Sequence, residues 1–328
     1  MDGIIIINKP QAMTSHDVVA FLRRRTGVKR IGHSGTLDPM ATGVLPVFIG
    51  KATRLIEYSS RPGDPEAKTY RCTMKLGIET DTQDVWGEII SVNNDKRPSA
   101  EEIESALKGF EGPGVQRPPN FSAVKIDGRK MYELARKGVE VEEEKIKLRE
   151  IYIKHIYVNH IDQERNEVTF DVCCSKGVYI RTLCADVGRI LGCGAVMSGL
   201  IRLKSDGFSI ENAISLDSLR DEKAPFPELL EPDAPLGWMP RCDLDVGPAR
   251  KFCLGQTVDM PQRIYQPQEH IRTDAGSIQE DAGSIREDAG SARETQLVRV
   301  YSDDSFLGIG NVVESTGLKP QKVIASIA

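Results

Sequence analysis

Gly32-His33-Ser34-Gly35-Thr36-Leu37-Asp38-Pro39, continued by Met40-Ala41-Thr42-Gly43, places one carboxylate between glycines that can turn sharply and a proline that stiffens the chain behind it. A backbone of this kind presents a single acidic oxygen at the bottom of a cleft. An isolated Asp-Pro would mark only the start of a turn. Twelve constrained positions in a row, residues 32–43, argue for a site.

The flanking sequence reads as a framework for that loop. Ile4 to Ile7 is a run of β-branched residues suited to a strand covered on both faces, and Lys9-Pro10 ends it. Thr14 and Asp17 form a capping box for a helix reaching Gly27. Val44 to Ile49 reads as strand, Ala52 to Tyr58 as a short helix, and Tyr70 to Ile78 as strand with imperfect alternation. A polar turn, 77–84, leads to a strand near 87–92. Ser99 and Glu102 form a second capping box, and Ile103, Ala106, Leu107 and Phe110 follow at helical spacing with Gly112 as the stop. Arg117-Pro118-Pro119-Asn120 is irregular and precedes a basic helix over Lys130–Lys137, so 116–138 reads as a projecting arm or an ordinary connection. Strands are predicted near 146–158 and 167–174, a helix over 178–191, and strand or loop over 195–203.

A chain of 328 residues suits one large domain with a small one, and 40% hydrophobic residues is enough for a core. Prolines 225, 227, 232, 235 and 240 mark a boundary. Beyond it, Leu254 to Val258, Gln296 to Ile309 and Asn311 to Val313 suit a small β-domain. The seven cysteines show no Cys-x-x-Cys pair and no zinc spacing, which fits reduced thiols in a cytoplasmic protein. The start of the chain lacks the features of a secretory signal, and no stretch is long enough to span a bilayer.

A net charge of −5 argues at first against a nucleic-acid partner. Residues 274–294, with six acids and two bases, carry four of those five charges. The segment repeats Asp-Ala-Gly-Ser-Ile-Gln-Glu three times with small changes. A glycine every seventh residue rules out a coiled coil and favours a polar, mostly disordered loop without a catalytic part. Basic clusters remain at 23–25 with 29–30, and at 125–137, and suit phosphate contact.

The loop at 32–39 resembles the Gly-His-x-Gly-Thr-Leu-Asp-Pro motif of the TruB-type tRNA pseudouridine synthases. Further segments are similar to that family in order: Lys9-Pro10 to Thr14-Ser15, with Ala12 where a glycine is more usual; Lys68-Thr69-Tyr70; Thr80-Asp81 to Asp84; Pro118-Pro119 to Arg136; Ser175-Lys176-Gly177-Val178-Tyr179-Ile180-Arg181, with Val178 for threonine; and Leu200 to Phe208. The resemblance covers most of 1–215. It implies an α+β pseudouridine synthase fold with a central mixed, largely antiparallel sheet flanked by helices and loops. It also implies a catalytic domain over 1–230 with an RNA-gripping arm about 116–145. A small β-rich PUA-like domain over 240–328 would follow, interrupted about 268–295.

The same resemblance implies that Asp38 is the catalytic residue and Arg181 its partner, keeping the carboxylate charged where burial would neutralise it. The planar guanidinium can bind one carboxylate with two hydrogen bonds. Tyr70 would stack on the target base and help move a proton, and Leu200 would wall the pocket. Lys9 would be a site-adjacent charge or a structural one. His33 would wedge into the RNA loop, and Tyr179 would contact substrate. The implied substrate is uridine 55 in the T-loop of tRNA, whose base must leave its stack to be reached. The implied enzyme is a monomer without cofactor, metal, membrane or obligate protein partner. Whether Asp38 adds to the base or acts at the sugar stays open at this level.

Two other readings compete. Gly43 to Ala52 superficially suggests a phosphate loop, but its spacing is wrong and Ala52 stands where Ser or Thr is needed. A non-catalytic tRNA chaperone is the second, and Asp38, Tyr70 and Arg181 together argue against an absence of chemistry.

Overall fold

The isoleucine run sits where alternation sends neighbours to opposite faces. Ile5 and Ile7 pack with Val18, Val19 and Leu22 of the first helix, while Ile4 and Ile6 pack with Val44, Phe48 and Ala52. The computed structural model describes residues 1–328 except 94, 140, 222, 260, 262–263, 268–295, 314–316 and 326–328, and the side chain of 143. The heptad repeat at 274–294 therefore lies outside the described residues.

In chain order the elements are β1 (Gly3–Lys9), α1 (Ser15–Thr26), β2 (Ile31–His33), β3 (Thr42–Ile49), β4 (Lys68–Leu76), β5 (Ile78–Thr80), β6 (Ile89–Val92), α2 (Ala100–Lys108), β7 (Gly112–Gln116), β8 (Lys125–Ile126), β9 (Arg129–Lys130), α3 (Met131–Ala135), β10 (Arg149–Asp162), β11 (Glu167–Cys174), α4 (Ile180–Leu191), β12 (Ala195–Ser205), β13 (Phe208–Ser209) and β14 (Ile214–Ser215). They are followed by β15 (Arg241–Asp243), α5 (Val246–Cys253), β16 (Ile264–Tyr265), β17 (Gln296–Ser302), β18 (Ser305–Val313) and β19 (Gly317–Val323).

The main sheet runs β14-β1-β3-β12-β4-β11-β10-β7, with β2 added to β3 and β13 to β12. Only β1–β14 and β3–β12 are parallel. The α+β class and the mixed, largely antiparallel sheet expected from the sequence are what the chain builds. Helices α2 and α4 cover one face through Ile103, Leu107, Leu183 and Val187. A second sheet runs β16-β15-β17-β18-β19 around its own core of Phe252, Val298, Val300 and Leu318. Leu55, Leu236, Met239, Ile309 and Ile324 join the two sheets in one apolar cluster, reinforced by Lys322–Glu57 at 2.7 Å.

Both capping boxes form as expected, Thr14 with Asp17 and Ser99 with Glu102. Several boundaries differ. Helix α2 stops at Lys108 with Gly109 as its cap, and Gly112 opens β7 instead. The segment at Gly50–Tyr58 is a 3₁₀ helix. The basic helix expected over Lys130–Lys137 shrinks to the five residues of α3. Residues 195–205 form a full strand. Residues 254–258 are not a strand; Val258 makes a single bridge to Leu318. The break between β17 and β18 falls at Asp303-Asp304, not at Gly310.

Candidate functional site

The Asp38 loop joins β2 to β3 and is clamped from three sides. Ser15, the first residue of α1, accepts from the Leu37 amide at 2.9 Å and donates to the Leu37 carbonyl at 3.2 Å. The Ala41 amide donates to the Asp38 carbonyl at 3.1 Å, closing the turn that Pro39 stiffens. From below, the fully buried Lys9 ammonium donates to the carbonyls of Met13 at 2.6 Å, Pro10 at 2.9 Å and Pro39 at 3.4 Å. Burial, opposed by the charge of Asp38, pulls its pKa down to about 8.

Ala12 donates its amide to the Pro39 carbonyl from a left-handed backbone, φ +64°. That explains why a glycine is more usual there. The alanine costs about 1 kcal/mol in this conformation.

Arg181 enters from the first turn of α4 with its side chain 6% exposed. Its Nε lies 3.0 Å from Asp38 Oδ2. The guanidinium does not close both ends of its fork on one acid, as the sequence alone suggested. Nη1 donates to the Thr82 carbonyl at 3.0 Å and lies 3.6 Å from Asp84 Oδ2, while Nη2 donates to the Phe121 carbonyl at 3.0 Å. One cation thus ties together the Asp38 loop, the turn after β5 and the segment beyond β7. Asp84 is 9% exposed at its side chain and Asp38 40%, so of the two acids the one offered to solvent is Asp38.

Tyr70 on β4 faces Arg202 on β12 across the sheet. Burial raises its phenol to about 12 against the opposing pull of Arg202, so it is a neutral donor or stacking ring at neutral pH. Leu200 is almost buried, packed in the same cluster as Leu37 with Tyr70 against it. His33 ends β2 with Nδ1 buried and without a hydrogen-bond partner among the described residues. Burial, with His16 and Arg202 adding repulsion, lowers its pKa to about 4, and the imidazole is neutral. Tyr179 caps α4. Its amide and carbonyl pair with the Gln116 side chain at 2.7 and 3.0 Å, and the Arg149 guanidinium lies 5.9 Å from its ring centre. Asp38, Arg181, Leu200 and Tyr70 are thus brought to one region. Lys9 lies behind the loop, and His33 lies on the strand leading into it.

Five residues contribute in ways that the sequence does not show. Arg202 is 1% exposed and donates to the carbonyls of Val44 at 2.7 Å and Gly35 at 2.9 Å, a brace beneath the loop. Lys68 and Asp206 form a buried pair at 2.6 Å beside it. Gln116 fixes the start of α4. Asp84 belongs to a recognised motif, but its place on Arg181 is visible only in three dimensions. Among the described residues no group of three or more His, Cys, Asp or Glu is arranged to hold a metal, and no helix is long and apolar enough to cross a membrane.

Comparison with known proteins places these features. The TruB family pseudouridylate synthase N-terminal domain matches residues 23–180, and the tRNA pseudouridylate synthase B C-terminal domain matches 181–232. A tRNA pseudouridine synthase B of Alkaliphilus oremlandii is 46% identical over 73% of this chain and 77% of its own length. One from Syntrophomonas wolfei is 40% identical over 85% of this chain and 92% of its own. Among solved structures, a chain from a Cbf5–Nop10–Gar1 complex superposes with a TM-score of 0.69 at 25% identity, covering 99% of this chain and 85% of that one. The chain belongs to the TruB family of pseudouridylate synthases.

Proposed function

We propose that this protein isomerises uridine 55 in the T-loop of tRNA to pseudouridine, acting in the cytoplasm as a monomer. The observation that carries the reading is the 3.0 Å pairing of Asp38 with a buried Arg181, which holds the carboxylate in place and leaves it 40% exposed to a substrate. The reaction breaks the N1–C1′ bond, turns the uracil and joins C5 to C1′. The C5 proton leaves and N1 gains one, so the balance calls for no oxidant or reductant. Asp38 opens the glycosidic bond as nucleophile or base. Tyr70, a neutral phenol, stacks on the extruded base and relays a proton, and Leu200 closes the apolar wall.

His33 fills the gap left in the RNA by the flipped nucleotides. An imidazole kept neutral by burial suits insertion among bases. Tyr179 and Lys9 complete the substrate side, Lys9 by holding the loop in register. Residues 1–230 make the catalytic domain, with 116–145 as an arm on the RNA, and 240–328 act as a PUA-like RNA-binding domain.

The test is incubation of the purified protein with unmodified tRNA, followed by mapping of pseudouridine. Conversion confined to uridine 55 is the expected result. No conversion, or conversion elsewhere, overturns the proposal.

A further inference from the structure

The β5–β6 hairpin forms a two-stranded ribbon of its own, bridged to β12 through Asp84 and Met197, and leaves several apolar side chains in water. Trp86 in its turn is 55% exposed, and Ile89 and Ile90 on β6 are 63% and 69% exposed. A hairpin this short gains little stability from leaving such residues bare, and an exposed indole at a fixed turn is suited to contact. Its position says with what. The Trp86 amide donates to Asp84 Oδ1 at 3.0 Å, and the other oxygen of the same carboxylate lies 3.6 Å from Arg181, the partner of Asp38. Val85 donates to the Met197 carbonyl at 3.0 Å, which pins the turn to β12. The Trp86 backbone is therefore fixed beside Asp84, which in turn lies against the cation that pairs with Asp38.

Charge narrows the occupant. Asp81 and Glu88 flank Trp86, are exposed, and are hydrogen-bonded through Asp81 Oδ1 and the Glu88 amide at 2.8 Å. Two carboxylates repel a phosphate backbone, whereas an indole face accepts any unstacked base irrespective of sequence. We infer that Trp86 is a stacking platform for an unpaired base of the substrate RNA neighbouring the target uridine. The inference rests on the proposed tRNA-modifying function and adds a recognition element outside the catalytic pair.

The experiment titrates unmodified tRNA into wild-type protein, Trp86→Phe and Trp86→Ala, reading tryptophan fluorescence and affinity, with turnover measured separately. The chain has only two tryptophans, so Trp86→Phe leaves Trp238 as the sole fluorophore and the control. Stacking predicts a tRNA-dependent quench in wild type that vanishes in Trp86→Phe. It also predicts a Kd and KM raised between about 5- and 100-fold in Trp86→Ala, with most of the affinity regained in Trp86→Phe. Turnover at saturating tRNA stays within about twofold, as expected when an interaction serves ground and transition states alike.

Unchanged affinity in a folded Trp86→Ala, with conversion intact, overturns the inference and leaves the function standing. A wild-type dimer that Trp86→Ala turns into monomer at unchanged tRNA affinity overturns it in favour of self-association. Quench and affinity loss without pseudouridine formation by wild type uphold the platform and remove the proposed reaction.

Discussion

Two clusters of charge, one at the start of β4 and one at the start of α4, are built to opposite specifications. Around Lys68 and Asp206, side chains 5% and 1% exposed, every donor turns inward: Lys68 also donates to Ser205 at 2.8 Å, and Ser60 donates to the Asp206 carboxylate. Around Arg181 the cation is equally buried, but one of its two acids, Asp38, stays 40% exposed. The first cluster has no face for a ligand and serves to hold the loop. The second immobilises the cation completely and leaves the anion accessible. Arg202, donating to the Gly35 carbonyl, couples them, so the loop bearing Asp38 is braced from beside the enclosed pair. The lesson is that burial of a charge marks function only where its partner remains reachable.

This contrast can be challenged by substitution. Lys68→Met leaves Asp206 unpaired in the core and is expected to lower stability by about 3–5 kcal/mol, read by urea denaturation. Turnover per folded molecule should change little, and adding Asp206→Asn should restore much of the loss. A turnover collapse in well-folded Lys68→Met protein would erase the distinction. Arg181→Met should do the reverse, cutting single-turnover rate by about 10²–10³-fold with tRNA affinity nearly kept. Arg181→Lys should recover little, because an ammonium cannot serve the Thr82 and Phe121 carbonyls together with Asp38.

A smaller effect is expected from His33. Its folded-state pKa, about 4, lies below the free value, 6.5, so between these limits the unfolded chain binds more protons. Stability should therefore fall by roughly 2–3 kcal/mol as pH drops from 6.5 to 4, and His33→Gln should flatten that part of the curve. Smallest is Gly35→Ala. Gly35 has φ +70°, and a Cβ there would sit 3.2 Å from Arg202 Nη1 and 3.4 Å from Lys68 Nζ. A loss of about 1–2 kcal/mol, with a lower turnover from the displaced loop, is the expected outcome of thermal melts and rate measurements.

How much was legible follows from the range of each interaction. The isoleucine strand, both capping boxes and the Asp38 loop are local patterns, and the sequence displays them. Arg181 was found because a motif surrounds it. Lys68 and Asp206 stand 138 residues apart and meet only through the pairing of β4 with β12, which no local period announces. Arg202 reads as one charge in an apolar strand; that it points inward onto two carbonyls is a tertiary fact. The β17–β18 boundary is hidden in the sequence because its turn is Asp303-Asp304, both at positive φ. Such two-residue turns favour Asn-Gly or Asp-Gly, and a second aspartate hides the signal.

The central claim is that the Asp38 side chain, and not the scaffold around it, performs the proposed isomerisation. Single-turnover conversion of unmodified tRNA by Asp38→Asn, with tRNA binding measured on the same preparation, tests it most directly. The account predicts no detectable pseudouridine at binding within a few-fold of wild type. Conversion at the wild-type rate would contradict it.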